Sequence, residues 1–232
     1  MHKQPFFILS MQLLTVIITA GGIGKRMGST IPKQFLVIAG KPLLMHSFEP
    51  FVNFTDKLQL LLTLPSEWIS YWNDLCVEFD FKIPHTIIDG GVERYHSVKN
   101  ALQVAKGELI AIHDGVRPFV SMELLDNLTN AAVKYGSAVP VIALKESLRC
   151  MNEDGSSSAV DRCHFKSVQT PQVFQSEIIN RAYELPFHTK ITDDASLVEE
   201  AGNTIFLVEG EEDNLKITTP KDIWIAAYLF QA

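Results

Sequence analysis

The segment 15–35, TVIITAGGIGKRMGSTIPKQF, gathers residue types suited to holding phosphate. Val16-Ile17-Ile18 is a run of β-branched residues that predicts a buried strand. It leads into Ala20-Gly21-Gly22-Ile23-Gly24, where missing side chains let a ligand approach the backbone N–H groups. Lys25, Arg26 and Lys33 follow, and cations there neutralise phosphate oxygens. Strand, glycine turn and basic tail together read as a nucleoside triphosphate site. Two other glycine patterns do not fit. Walker A needs glycine where Thr19 stands and Ser or Thr where Arg26 stands. The dinucleotide fingerprint of dehydrogenases needs a third glycine where Met27 stands. The plainer alternative is a strand–turn–helix connection with solvated lysines.

Such a loop works only if other segments hold it at one end of a sheet, and the remaining chain alternates accordingly. Leu58–Leu64 predicts an apolar strand ended by Pro65-Ser66. Residues 67–79 predict a helix with Trp68, Tyr71, Trp72 and Leu75 on one face. A short strand over 86–88 leads into Asp89-Gly90-Gly91, and a helix over 94–105 follows with Val98, Ala101, Leu102 and Ala105 inward. A strand over 109–112 runs into His113-Asp114, then come a helix over 122–135 and a strand over 137–142. Beyond Gln169-Thr170-Pro171-Gln172 the pattern predicts helices near 176–184 and 195–202 and a strand near 204–208. A last helix starts at Pro220 and runs to Leu229. The predicted class is α/β, a mostly parallel sheet with helices on both faces. Ligands in such sheets bind beyond the carboxyl ends of the strands. Segments 20–24, 89–91 and 113–117 all fall there.

From Lys145 to Val168 the alternation breaks. SLRCMNEDGSSSAVDR is polar with an Asp154-Gly155 turn signal, and it predicts a protruding β-hairpin arm flanked by 147–151 and 159–163. The alternative is a surface loop. An arm of this length has little core of its own, so a partner subunit is its natural support, and a homodimer through the arm is expected.

The whole chain has 232 residues, 47% hydrophobic and 20% charged, which suits one large soluble domain. A net charge of −7 argues against a broad nucleic-acid surface. Cys76, Cys150 and Cys163 lack C-x-x-C spacing and read as reduced thiols of a cytoplasmic protein, without a zinc site. The apolar N-terminal run is too short and broken to cross a membrane and leads directly into the glycine loop. Residues 1–10 are therefore expected to be a dispensable extension before Met11, leaving one domain over 11–232 with the arm, 145–168, as its subdomain.

TAGGIGKRMG, IPKQF, DGGVERYHSV, HDGVRPF, VDR, QTPQVF, TDDAS and EDNLKITTPKD occur in this order. Together they resemble the 2-C-methyl-D-erythritol 4-phosphate cytidylyltransferase (IspD) family, over about residues 13–229. The resemblance implies a Rossmann-like nucleotidyltransferase sheet. It implies transfer of the cytidylyl group of CTP to methylerythritol phosphate in non-mevalonate isoprenoid synthesis, with Mg2+ and release of pyrophosphate. It assigns Arg26 and Lys33 to transition-state charge, and Ala20, Gly21, Gly22 and Gly24 to the loop around base and phosphates. Gly91 and Ser97 match base-reading positions. Asp114 matches the metal and ribose position, with Gly115 beside it in the CTP site. Arg162 and Lys216 match residues that position the acceptor, and Arg117, Ser147, Thr170, Thr192 and Asp213 match its other contacts. Ser147 and Arg162 lie in the arm and are expected to serve the neighbour's site. Gly115-Val116 departs from the family's commoner Ala-Ala, Ser147 from Thr, and Val92 from an Asp of some members. Ribitol 5-phosphate cytidylyltransferase is the nearest alternative, and a nucleotide-binding protein without catalysis is the alternative of another class.

Overall fold

The computed structural model describes residues 12–22 and 31–231. Its strands are β1 (Leu14–Thr19), β2 (Val37–Ile38), β3 (Lys41–Pro42), β4 (Leu58–Leu64), β5 (Thr86–Asp89), β6 (Leu109–Asp114), β7 (Ser137–Ala143), β8 (Leu148–Met151), β9 (Ser157–Val160), β10 (Lys166–Val168), β11 (Gln172–Gln175) and β12 (Leu207–Glu209). Its helices are α1 (Leu43–His46), α2 (Glu49–Phe54), α3 (Ser66–Glu78), α4 (Arg94–Leu102), α5 (Met122–Tyr135), α6 (Ser176–Ala182), α7 (Asp194–Glu200) and α8 (Pro220–Leu229). One eight-stranded sheet runs β10-β7-β11-β6-β1-β4-β5, with β12 also paired to β7.

Period-two alternation fixes which side chains face which helices. Val16, Ile18, Leu60 and Leu62 pack with Phe48, Phe51, Trp72 and Leu128 on one face of the sheet. Ile17, Leu61, Ile110 and Ile112 pack with Val98, Ala101, Ile179 and Leu197 on the other. These strands carry apolar residues at successive positions because both faces are covered. Each fully buried aliphatic side chain contributes about 1.5–3 kcal/mol. A third cluster, Ile38, Leu43, Val116, Ile217 and Ala226, fastens α8 to β2, α1 and the turn after β6. Helix α5 has both ends specified. Ser121 Oγ accepts from Leu124 N at the start, and Gly136 in the left-handed region at φ 89° closes the end.

β1, β4, β5 and β6 are mutually parallel, with Thr19 opposite both Thr63 and Asp114. β11 is antiparallel to β6 and β7, so residues just before it lie at the carboxyl ends of the parallel strands. β12 is parallel to β7 and delivers residues 210–217 to the same end.

The mostly parallel sheet and the bounds of β4, α5 and α8 agree with the sequence reading. Elsewhere the two differ. β11 was not expected, because Pro171 punctuates a strand of only four residues whose Val173 and Phe174 are completely buried. α4 stops at Leu102, short of Ala105. The last strand begins at Leu207, not Thr204, because Ser137 holds the preceding stretch: its hydroxyl donates to Thr204 O and accepts from Phe206 N. The hairpin forms as β8–β9 with Cys150 opposite Ser158, and its turn carries Gly155 at φ 82°. Its second strand ends at Val160, so Arg162 lies in a short 3-10 turn capped by Asp161.

Candidate active site

The carboxyl ends of β1, β4 and β6 open onto a cavity of about 420 Å³. Ala20, Gly21, Gly22, Lys33, Gly91, Ser97, Asp114 and Lys216 line it, eight of the positions singled out from sequence. Gly24 and Arg26 lie outside the described residues. A second cavity of about 280 Å³ is lined by Arg117, Thr170 and Thr192. Arg94, Asp114 and Lys216 line both cavities.

The glycine segment is fixed from outside itself. Gln34, buried in a short 3-10 turn, donates from Nε2 to Ala20 O at 2.7 Å. Lys33 Nζ donates to Ile217 O at 2.9 Å, which ties the loop to the segment carrying Lys216. Gly91 is required sterically, since a Cβ there would sit 2.2 Å from His96 Cβ. Ser97 Oγ accepts from Gly91 N at 3.0 Å and donates to Glu93 O at 3.3 Å. Its hydroxyl proton therefore serves the turn. Gly115 is buried beneath the cavity and does not line it. Its N–H donates to Thr19 O at 2.9 Å, and Leu44 occupies the space a side chain would need.

Asp114 is the electrostatic centre. Its Oδ2 accepts from Lys216 Nζ at 2.9 Å and stands 3.3 Å from Arg117 Nε, while Arg94 Nε lies 3.9 Å from Oδ1. Burial works against its charge, but Arg94, Lys216 and Arg117 outweigh burial and hold the carboxyl well below the ordinary range. Arg94 is clamped in turn by Asp194, with Nη1–Oδ1 at 2.9 Å and Nη2–Oδ2 at 2.6 Å. Asp194 is completely buried and also accepts from Tyr183 Oη at 2.6 Å. Burial opposes the Arg94 charge, but Asp194 first and Asp114 next raise its pKa above the ordinary value. Asp193 caps α7 in a capping box with Ser196 and accepts from Gln172 Nε2 at 2.8 Å. It thereby fixes the loop that carries Thr192.

Not every expected residue joins the two cavities. Asp213 is exposed, in the turn before Lys216, and does not line either. Ser147 and Arg162 are exposed at the base of the arm, where the Arg162 guanidinium donates to Lys145 O. Arg94, Gln34 and Asn214 were missed as functional residues, although each stands inside a motif. The signal available for Arg94 was its charge, directly after a glycine turn and at the start of a helix.

Among the described residues no group of three or more His, Cys, Asp or Glu is poised to hold a metal. Asp114 Oδ1, with no cation nearer than 3.9 Å in the ion pairs, can offer one oxygen. That donor set fits a magnesium ion that takes its other ligands from phosphates and water, as magnesium prefers.

The family described as IspD, 2-C-methyl-D-erythritol 4-phosphate cytidylyltransferase, matches residues 14–232. The chain is 49% identical over 216 residues to the 2-C-methyl-D-erythritol 4-phosphate cytidylyltransferase of Bacteroides fragilis, covering 93% of this chain and 98% of that one. Its fold is similar to 4-diphosphocytidyl-2C-methyl-D-erythritol synthase from Anaerococcus prevotii, with TM-score 0.80 and 26% identity over 95% of this chain and 99% of that chain. It is also similar to 2-C-methyl-D-erythritol 4-phosphate cytidylyltransferase from Thermus thermophilus, with TM-score 0.74 and 29% identity over 96% and 100%. With a match this long, on a sheet that brings those motifs to one end, the chain belongs to the 2-C-methyl-D-erythritol 4-phosphate cytidylyltransferase (IspD) family.

Proposed function

We infer that the chain transfers the cytidylyl group of CTP to 2-C-methyl-D-erythritol 4-phosphate, giving 4-diphosphocytidyl-2-C-methyl-D-erythritol and pyrophosphate. The observation that carries this reading is a pair of adjoining cavities whose common wall is Arg94, Asp114 and Lys216. A nucleotide in the larger and a phosphorylated polyol in the smaller would meet there.

In the reaction a phosphate oxygen of the acceptor attacks the α-phosphorus of CTP. The bond from that phosphorus to the bridging oxygen breaks, and pyrophosphate leaves with the electron pair. The second pKa of a phosphate monoester is about 6, so the nucleophile is ionised at neutral pH and needs no general base. The obstacle is bringing two anions together, and positioned cations lower it. Gly21 and Gly22 cradle the triphosphate. Lys33, with Arg26 of the same loop, meets charge that develops at the α-phosphorus. Lys216, anchored on Asp114, stands in the shared wall and steers the acceptor phosphate. Arg117 and Thr170 hold the acceptor from the far side, with Thr192 beside them. A bound magnesium ion, held by Asp114 and phosphate oxygens, would neutralise charge on CTP and the leaving pyrophosphate.

The functional unit is taken as residues 11–232, with 1–10 an extension. The arm, 145–168, carries Ser147 and Arg162 to the acceptor site of a second copy in a homodimer, and the enzyme works in the cytoplasm. No helix among the described residues is long and apolar enough to cross a membrane. The test is pyrophosphate release with CTP and magnesium, comparing methylerythritol 4-phosphate with ribitol 5-phosphate as acceptor. Release with the former alone is expected. A preference for ribitol phosphate would overturn the acceptor assignment while leaving the chemistry in place.

A further inference from the structure

Four residues behind the smaller cavity close a ring of hydrogen bonds. His113 Nε2 is 2.9 Å from Arg117 O, and a carbonyl only accepts, so Nε2 carries the proton. Arg117 Nη1 donates to Asn214 O at 2.7 Å, and Asn214 Nδ2 donates to Thr170 O at 2.9 Å. Thr170 Oγ1 lies 3.2 Å from His113 Nδ1 and accepts from Asp114 N at 3.0 Å. His113 and Asn214 are completely buried. They join the end of β6, the turn after it, the strand-entry segment before β11 and the segment after β12. The last two are far from β6 in sequence.

The ring fixes hydrogen-bond polarity as well as place. The neutral His113 ring has its proton on Nε2, so Nδ1 is an acceptor and the Thr170 hydroxyl must donate to it. With that proton spent and one lone pair taken by Asp114 N, Thr170 Oγ1 keeps one lone pair. It can accept from a donor and has nothing to donate to a phosphate oxygen. Arg117 spends Nη1 on Asn214 O and turns Nε toward Asp114, which leaves Nη2 for an anion. We propose that His113 is a positioning and specificity residue which makes Thr170 a pure acceptor for a hydroxyl of the polyol and leaves the phosphate to Arg117 and Lys216. Asn214 holds Thr170 and Arg117 in register. The inference rests on the proposed acceptor role of Arg117 and Thr170.

The experiment is steady-state kinetics with methylerythritol 4-phosphate and CTP. His113→Phe keeps an aromatic ring against Phe51, whose ring is 5.1 Å away, and removes both nitrogens. Its acceptor KM should rise about three- to tenfold, as for the loss of one net hydrogen bond, with the CTP KM unchanged within twofold. His113→Asn puts an acceptor near the Nδ1 position and should restore the acceptor KM, whereas His113→Gln should not. This pair carries the test if the Phe variant does not fold. Combining His113→Phe with Thr170→Val should add nothing to either single effect. An unchanged acceptor KM in His113→Phe and His113→Gln, or additive effects in the double variant, would overturn the proposal. If Thr170→Val itself moves the CTP KM and not the acceptor KM, the acceptor reading under the proposed function fails instead.

Discussion

Arg94→Met exposes how much the fold depends on one ion pair whose carboxylate is fully buried. Asp194 has no solvent exposure, and Arg94 supplies two hydrogen bonds to it at 2.9 and 2.6 Å. Methionine keeps the length and apolar stem of the side chain but leaves the carboxylate without its cation. Removing one member of a buried pair costs about 3–5 kcal/mol. Two features soften the loss. Tyr183 Oη still donates at 2.6 Å, and Asp194 is the first residue of α7, where the helix dipole favours an anion. The lower end, about 3 kcal/mol, is therefore expected. For a chain of this size each kcal/mol moves the melting point by about 2–4 °C, so the midpoint should fall by roughly 6–12 °C. Urea unfolding at neutral pH measures the free energy directly. Arg94→Met with Asp194→Leu removes both charges and should recover more than half of the loss. A single-variant cost below about 1 kcal/mol, or a double variant as unstable as the sum of the singles, would refute a buried carboxylate that depends on Arg94.

Acid should weaken the fold through His113, whose pKa burial lowers to about 4 from an ordinary 6.5. The unfolded chain binds the proton first, so stability is full above about 6.5 and declines by about 3 kcal/mol as pH falls to 4. His113→Phe should flatten that interval in pH-dependent unfolding, and an unchanged slope would contradict the assignment. Gly115→Ala places a Cβ 2.7 Å from Leu44 Cδ1 and 3.1 Å from Ile18 Cγ2, and should cost about 1–2 kcal/mol by thermal melting. Leu44→Ala in the same chain should make the added methyl nearly neutral, and persistence of the cost would move the cause to the backbone. Thr63→Val removes a completely buried hydroxyl that has no hydrogen-bond partner among the described residues. The ligand-free protein should gain about 1 kcal/mol, and a lower melting point would mean the hydroxyl has a partner after all.

The parallel core was legible because its strands are continuous apolar runs bounded by glycine or proline. Leu58–Leu64 needed only its own seven residues to be recognised. β11 was not legible in this way. Gln172–Gln175 is a four-residue strand with glutamine at both ends, held by pairing to β6 and β7 rather than by local preference. The same holds for β2 and β3, two residues each, which depend on their pairing to each other. The short helices α1 and α2 take Phe51, and Phe48 between them, into the core, yet each is shorter than the window over which a helical period declares itself.

The site divides along the same physical line. Charge and missing side chains are visible in a sequence, so Lys33, Lys216, Asp114, Gly21, Gly22 and Gly91 could be singled out, and the structure brings them to one cavity. Gln34 and Asn214 act on the backbone: one holds Ala20 O, the other Thr170 O. Nothing in an isolated glutamine or asparagine distinguishes such a bond from a solvated amide. Arg94 is separated from Asp194 by 100 positions, and only the folded sheet selects that carboxylate among the many acids of the chain. In sequence His113 is a lone histidine at a strand end with no partner in view. Its partners are a carbonyl four residues on and a hydroxyl 57 residues on. Residue types suited to holding phosphate are thus written into composition and spacing. The residues that aim them are chosen by strand order, because β11 and β12 return Thr170 and Asn214 to the end of the sheet where β6 has already left His113.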